Sequence, residues 1–562
     1  MNNKSSDTRN LLVTLTLSML IIMFWQYYVE APQRKAQMLA QQARANAQVQ
    51  IKHEQEKEEA QLPQTREQWL AQSPRVLINS SNLHGSVALK GLRFDDLTLA
   101  RYHEALNPNS PEVVLFSPAG MVGGYFAAFG WTSDDVALKL PGDDTLWSAD
   151  GKELTPEHPV TFSWKNPDGV VFRARVALDD KYMFTVAQSV EAKSPLTLHS
   201  YGYINRVFDT KTYPGTGIMH EGPLGVFDGT LNETAYKKLA GGSEQTFDTP
   251  SGGWLGISDK YWLAAIIPPN EPFNSHFSYY TSKGRDHFQT DYLSQPQTQS
   301  TIHFFAGAKE LAVLDAYAAQ YQIPLFDRAV DFGMFYFLTK PIFLTLNYFH
   351  KLVGNFGIAI LLLTVIIKLI MFPLAHTSFR SMHQMKTLQP KINDIRERTK
   401  DDKIKMNQEI MELYKREKIN PASGCLPIFI QIPVFFALYK VLYVTIEMRH
   451  APFYGWIHDL SAADPTNLFT LFGLINWSPP SFLHLGVWPL VMCATMVIQQ
   501  HQSPPPPDPA QAKMMKMLPF IFLFVFSSMP AGLVIYWCWS NTFTILQQWY
   551  IMTAHKKSQA QK

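Results

Sequence analysis

The stretch NFGIAILLLTVIIKLIMFPLA, residues 355–375, decides the fold class. It is long and apolar enough to cross about 30 Å of hydrocarbon, yet it carries one ammonium group, Lys368. A charge at the centre of a membrane helix costs roughly 2.5–3.5 kcal/mol on insertion scales. Snorkelling is the usual escape. The cytoplasmic end lies about nine residues away, roughly 13 Å at 1.5 Å per residue. A lysine side chain reaches only about half of that. Lys368 is therefore expected near mid-helix, facing a hydrated cavity inside a bundle, with Thr364 one turn earlier on the same face. Neutralisation by a buried acid is the alternative, but the candidate spans contain no central Asp or Glu. Lys440 lies near the end of its own apolar run, where it can snorkel, and is read as structural.

Outward from this stretch the chain divides sharply. Whole-chain averages, 46% hydrophobic and 17% charged with a net charge of +2, resemble those of a soluble protein. They also argue against a dedicated nucleic-acid binder. The apolar residues concentrate at 11–29 and beyond 330. Residues 11–29 form an uncharged run preceded by Lys4 and Arg9 and ending in Trp25, Tyr27 and Tyr28. This predicts an uncleaved anchor, residues 1–30, with a cytoplasmic N-terminus. Residues 31–74 read as a polar linker. Residues 75–326 carry short alternating runs, such as Val160–Trp164, Val170–Val176 and Tyr182–Val190, between Gly, Pro, Asn and Asp clusters. That pattern predicts an all-β sandwich. The three cysteines, Cys425, Cys493 and Cys538, all lie outside it.

Further spans are expected at 424–446, 483–500, 516–528 and 531–552, within a core of residues 354–555. Six transmembrane helices result, the last five forming the core. Residues 378–423 hold eleven Lys and Arg against seven Asp and Glu, which places them in the cytoplasm. One crossing must then lie between 330 and 378, so 327–353, interrupted by Lys340 and Pro341, is expected to lie in the outer interface as an amphipathic helix. The outer segment 447–482 has a single basic residue, Arg449. The tail 556–562 is basic and falls inside with the C-terminus. Met382, Met385, Leu388, Ile392 and Ile395, then Ile404, Ile410, Met411 and Tyr414, recur at helical spacing about the turn KDDK at 400–403. They predict a helical hairpin over 378–423, with Pro390 kinking or restarting its first helix.

Few motifs point to other chemistry. ASGC at 422–425 vaguely resembles a lipoprotein box but sits far inside the chain. His220-Glu221 lacks the second histidine of a zinc-protease motif. Pro504–Pro507 reads as a stiff loop. The sequence contains no phosphate-binding glycine loop and no spaced metal-ligand set. No catalytic residue, metal or cofactor is expected, and the protein is not read as an enzyme.

Six segments together resemble the YidC-type membrane protein insertases, the YidC/Oxa/Alb family. They are VDFGMFYFLTKPIFLTLNYFHKLVGNFG (330–357), TVIIKLIMFPL (364–374), LQPKINDIRER (388–398), NPASGCLPIFIQIPVFFALYKVL (420–442), APFYGWIHDLSAADP (451–465) and PAGLVIYWCWSNTFTILQQ (530–548). The resemblance covers nearly all of 327–552, and GGWLGISDKYW (252–262) extends it weakly into the sandwich. The anchor followed by a large β domain resembles the Gram-negative form, which implies the bacterial inner membrane and a periplasmic sandwich. The resemblance further implies an insertase and chaperone, working alone or with the Sec translocon. A hydrophilic groove open to the cytoplasm and to lipid would attract the polar end of a nascent membrane protein. By motif position Lys368 supplies the charge, and Thr364, Gln431 and Asn541 line the groove. The hairpin and basic tail would touch the ribosome, and no nucleotide is implied. Most bacterial members carry arginine where this chain has Lys368, so a charge-based role here requires a wet groove. A secondary transporter or channel built on Lys368 is the alternative, though the matching repeats it calls for are not evident. A third reading makes the β domain a carbohydrate-binding module on an anchor, by fold analogy alone.

Overall fold

Alternation of apolar and polar residues builds the first part of the chain. The structure is a computed structural model that describes residues 65–560, except 211–218, 251, 400–401, 418, 420–425, 476, 478–479, 481–483 and 504–508. The expected anchor at 11–29, most of the linker, Cys425 and the proline run at 504–507 lie outside the described residues.

Two sheets of ten and nine strands face each other among the described residues. The larger is centred on Arg285–Pro296, His199–Phe208 and Tyr125–Thr132, and the smaller on Trp262–Ile267, Gln299–Ala308 and Met183–Glu191. In Val171–Leu178 every second side chain, Phe172, Ala174, Val176 and Leu178, is buried, as period-two patterning requires. Phe304 is the hub between the sheets. Its ring lies 5.3 Å from that of Phe129, 5.6 Å from Phe94 and 5.9 Å from Phe184. Such ring clusters add specific edge-to-face attraction to the burial of large apolar area. The domain is not all β, however. Its last strand runs into helix α1 (Leu311–Tyr321), whose Leu311, Val313, Leu314 and Tyr317 pack into the same core.

Helices α2 (Tyr336–Val353), α3 (Phe356–Ile370), α4 (Phe372–Thr387), α5 (Gln389–Arg398) and α6 (Lys403–Arg416) follow, then α7 (Leu426–Val444), α8 (Val487–Gln502), α9 (Pro509–Ser527) and α10 (Ala531–Ala560). No single helix among the described residues is both long and apolar enough to cross a membrane alone. The pair α3 and α4 is so together, across a bend of 65°. The expected unbroken span 355–375 is corrected here. Pro373 lacks the N–H that would bond back to Leu369, but it fits the first turn of a new helix. The chain turns at Met371, and Lys368 falls in the last turn of α3 rather than at its middle.

Helix α2 buries Thr339, Ile342, Phe343 and Leu346 and exposes Phe337, Leu344, Tyr348 and Leu352. Its Lys340 binds Asp327 at 2.7 Å and Asp315 at 3.1 Å. Lys440 of α7 does not need to snorkel, because its Nζ donates to Asp331 Oδ2 at 3.0 Å. The same oxygen accepts the His220 backbone N–H at 3.0 Å. The Leu311 N–H at the start of α1 donates to Glu447 Oε1 at 3.3 Å. Sandwich and helices are thus tied by carboxylates.

In the hairpin, Leu388, Ile392, Ile395, Ile410 and Tyr414 are buried. Ile404 and Met411 are exposed instead, and Leu413 joins the seam. Pro390 sits at the beginning of α5, so it restarts the helix. Asp402 caps α6 by accepting from Ile404 N and Lys405 N at 3.0 Å each.

Pro519 lies inside α9. Without its N–H, the carbonyl of Met515 lacks the usual donor one turn on. Gln500 Nε2 of α8 donates to that carbonyl instead.

Two outcomes follow. Gln500→Leu is expected to destabilise the bundle by about 1 kcal/mol, the low end of the cost of orphaning an acceptor, because the Met515 carbonyl is only partly buried. In a Pro519→Ala background the same change should cost much less. Unfolding of the four proteins in mixed micelles measures this, and equal costs in both backgrounds would refute the exchange. Second, burial pulls the His220 imidazole down to about 4, while its Nε2–H donates to Pro223 O at 3.0 Å. Since the unfolded histidine titrates near 6.5, the unfolded chain takes the proton first as pH falls. The stability is fully present above about pH 6.5 and is lost toward pH 4, by on the order of 3 kcal/mol. His220→Gln should flatten that part of the pH–melting curve.

Candidate functional site

A polar cluster lies where α3, α7 and α10 meet. Lys368 Nζ donates to Thr544 Oγ1 of α10 at 3.0 Å and to Gln431 Oε1 of α7 at 3.4 Å. Gln431 Nε2 in turn donates to the Tyr536 hydroxyl. From the other side, Gln547 Nε2 reaches the Lys368 carbonyl at 3.5 Å. Lys368 has no carboxylate partner among the described residues. It is half-buried, so its charge is compensated only by neutral oxygens and whatever solvent reaches it. An ammonium with three donors and two such partners retains attraction for an incoming acceptor.

The bend explains how the cluster forms. With α3 ending at Ile370, the Met371 N–H closes back on Ile367 O at 2.9 Å and Gln547 serves Lys368 O, and Lys368 sits in the last turn, at the negative end of the helix dipole. That position favours a cation more than the middle of an unbroken helix would.

Of the four residues expected from the sequence, the structure brings two together, Lys368 and Gln431. Thr364 is buried, and its hydroxyl donates back to Ile360 O at 2.7 Å. Asn541 is also buried and donates from Nδ2 to Thr495 Oγ1 of α8 at 3.2 Å. Neither has a hydrogen bond to Lys368. Thr544, Tyr536 and Gln547 were missed. A signal for them exists: Tyr536, Ser540, Thr544 and Gln547 recur every three or four residues, a polar stripe along an otherwise apolar helix.

No group of His, Cys, Asp or Glu suited to a metal ion occurs among the described residues.

Comparison with known proteins adds the following. The family described as 60Kd inner membrane protein matches residues 348–559, and that described as YidC periplasmic domain matches residues 75–345. A membrane protein insertase YidC of Rickettsia bellii is 50% identical over 554 residues, covering 96% of this chain and 98% of its own. The Rickettsia conorii protein of the same name is 49% identical over 555 residues, with the same coverage. A crystal structure of an active YidC insertase with its first transmembrane domain resolved covers 84% of this chain and 92% of its own, at 15% identity and a TM-score of 0.36.

If solvent compensates the ammonium, Lys368→Cys in the full chain should react with a charged, membrane-impermeant thiol reagent within minutes. The reference is Cys538, which is buried. Mass spectrometry reads the adduct, and labelling no faster than at Cys538 would mean a dry site.

Proposed function

Because the chain belongs to the YidC family of membrane protein insertases, we propose that it inserts nascent membrane proteins and helps them fold, with Lys368 as the attracting charge. The observation that carries this is an ammonium at the junction of three helices, held by Thr544 and Gln431 without a counter-charge among the described residues. Two unit charges about 4 Å apart attract by about 4 kcal/mol at an effective dielectric near 20. That is enough to capture an acidic or polar segment, and weak enough for the apolar helix behind it to slide into lipid by the hydrophobic effect.

In this reading the helices α3, α7, α8, α9 and α10 form the five-helix core, with the N-terminal run 11–29 as a sixth span. Both termini and the hairpin of α5 and α6 lie in the cytoplasm. Thr364 and Asn541 shape the groove through the packing of α3 and α10, while Gln431 and Thr544 orient the charge. The exposed apolar stripe of α2, Phe337, Leu344, Tyr348 and Leu352, supports its placement in the outer interface. The hairpin pairs Lys391 with Glu417 at 2.9 Å and Arg398 with Glu409 at 3.6 Å, and its exposed Lys405, Lys415 and Arg416 suit an acidic partner such as a ribosome. Cooperation with a Sec translocon fits the same activity.

The test is depletion of the native protein and complementation by Lys368→Ala or Lys368→Arg, reading insertion of a single-span substrate with an acidic translocated tail. Alanine should lower insertion about tenfold or more, the equivalent of 1.4 kcal/mol, and arginine should restore it. Insertion by the alanine variant at the wild-type rate would remove the charge from the mechanism.

A further inference from the structure

A second polar site lies in the sandwich where the segment following α7 meets it. A cavity of about 280 Å³ is lined by Glu104, Arg206, Asp259, Tyr261, Trp262 and Arg449, among others. Small-molecule pockets run from roughly 300 Å³ upward, so this one suits a compact headgroup rather than a large ligand. Its charges balance. Arg206 Nη1 is paired with Asp259 Oδ2 at 2.5 Å and its guanidinium stacks over Tyr125 at 4.6 Å. Arg449 donates from Nη2 to His103 O at 2.6 Å and lies 5.7 Å from the Trp262 ring, with no carboxylate partner among the described residues. Glu104 is exposed and likewise has no ion-pair partner among the described residues.

The cavity also has a position. Lys260, next to Tyr261, holds its Nζ 3.8 Å from the ring centre of Tyr443, which lies in the last turn of α7. Arg449 follows the same helix by five residues. In the topology proposed above, which this inference takes as given, that end of α7 meets the outer leaflet. Tyr261, Trp262 and Tyr443 are the amphipathic rings that favour a membrane–water boundary.

We propose that this cavity binds the headgroup of a zwitterionic aminophospholipid. The guanidinium of Arg449 takes the phosphate, for which its planar fork is suited. The Glu104 carboxylate takes the primary ammonium, while the Arg206–Asp259 pair and Trp262 wall the site. A neutral set of two arginines and two carboxylates gives a purely anionic headgroup no net attraction. A choline headgroup offers Glu104 no N–H donor.

The full chain in nanodiscs of equal parts phosphatidylethanolamine, phosphatidylglycerol and phosphatidylcholine, stripped stepwise with detergent, tests this by native mass spectrometry. Wild type is expected to retain phosphatidylethanolamine over both others by about tenfold. Arg449→Gln should abolish the preference. Glu104→Gln, which removes no bond of the fold, should equalise the ethanolamine and choline lipids while leaving the melting temperature unchanged. Millimolar glycerophosphoethanolamine should displace the retained lipid, showing that the headgroup is what is recognised. Equal retention of all three lipids by wild type, or an unchanged preference in Glu104→Gln, overturns the proposal. Retention is read without substrate, so failure here leaves the insertion assay with Lys368 variants to stand or fall separately.

Discussion

An ammonium group cannot leave bulk water without compensation, and the helical half of this protein is arranged around that constraint. Lys340 meets it with two carboxylates, Asp327 and Asp315, which hold its proton more tightly than usual. Lys440 meets it with Asp331, whose same oxygen holds the His220 backbone of the sandwich. These groups are spoken for. Lys368 has only hydroxyl and amide oxygens among the described residues, so a further anionic partner gains there what Lys340 and Lys440 already have.

Much of the fold could be read from periodicity. Alternation in Val171–Leu178 is unmistakable because one face is buried in the core while the other is partly exposed. Helix α1 was missed because Leu311–Tyr321 is short and follows directly on a strand, where an apolar run reads equally as either. The bend at Met371 was missed for a different reason. Hydropathy sums the residues of 355–375 without regard to Pro373, whereas backbone hydrogen bonding depends on it. In the hairpin, spacing alone could not say which apolar face turns inward, so Ile404 and Met411 were placed in the seam where Leu413 belongs.

The site was half legible. Lys368 stands out because charge in an apolar run is costly whatever surrounds it. Gln431 came from the resemblance rather than from spacing. Thr544 and Tyr536 sit in a segment dense in Trp, Ser and Thr, so their stripe is diluted unless it is counted at helical period. Thr364 shares the face of Lys368 but bonds its own backbone, a choice open to any helical threonine and invisible without coordinates.

The exchange at Pro519 has a meaning beyond its own stability. Gln500 is useful only while position 519 lacks an amide hydrogen, and Pro519 is tolerable only while position 500 carries a donor. The two form a conditional pair, each neutral or harmful without the other. Drift at either position is therefore constrained by its partner's present identity. A substitution scan that scores residues singly would therefore rate position 500 as intolerant, although it accepts change once position 519 carries an amide hydrogen.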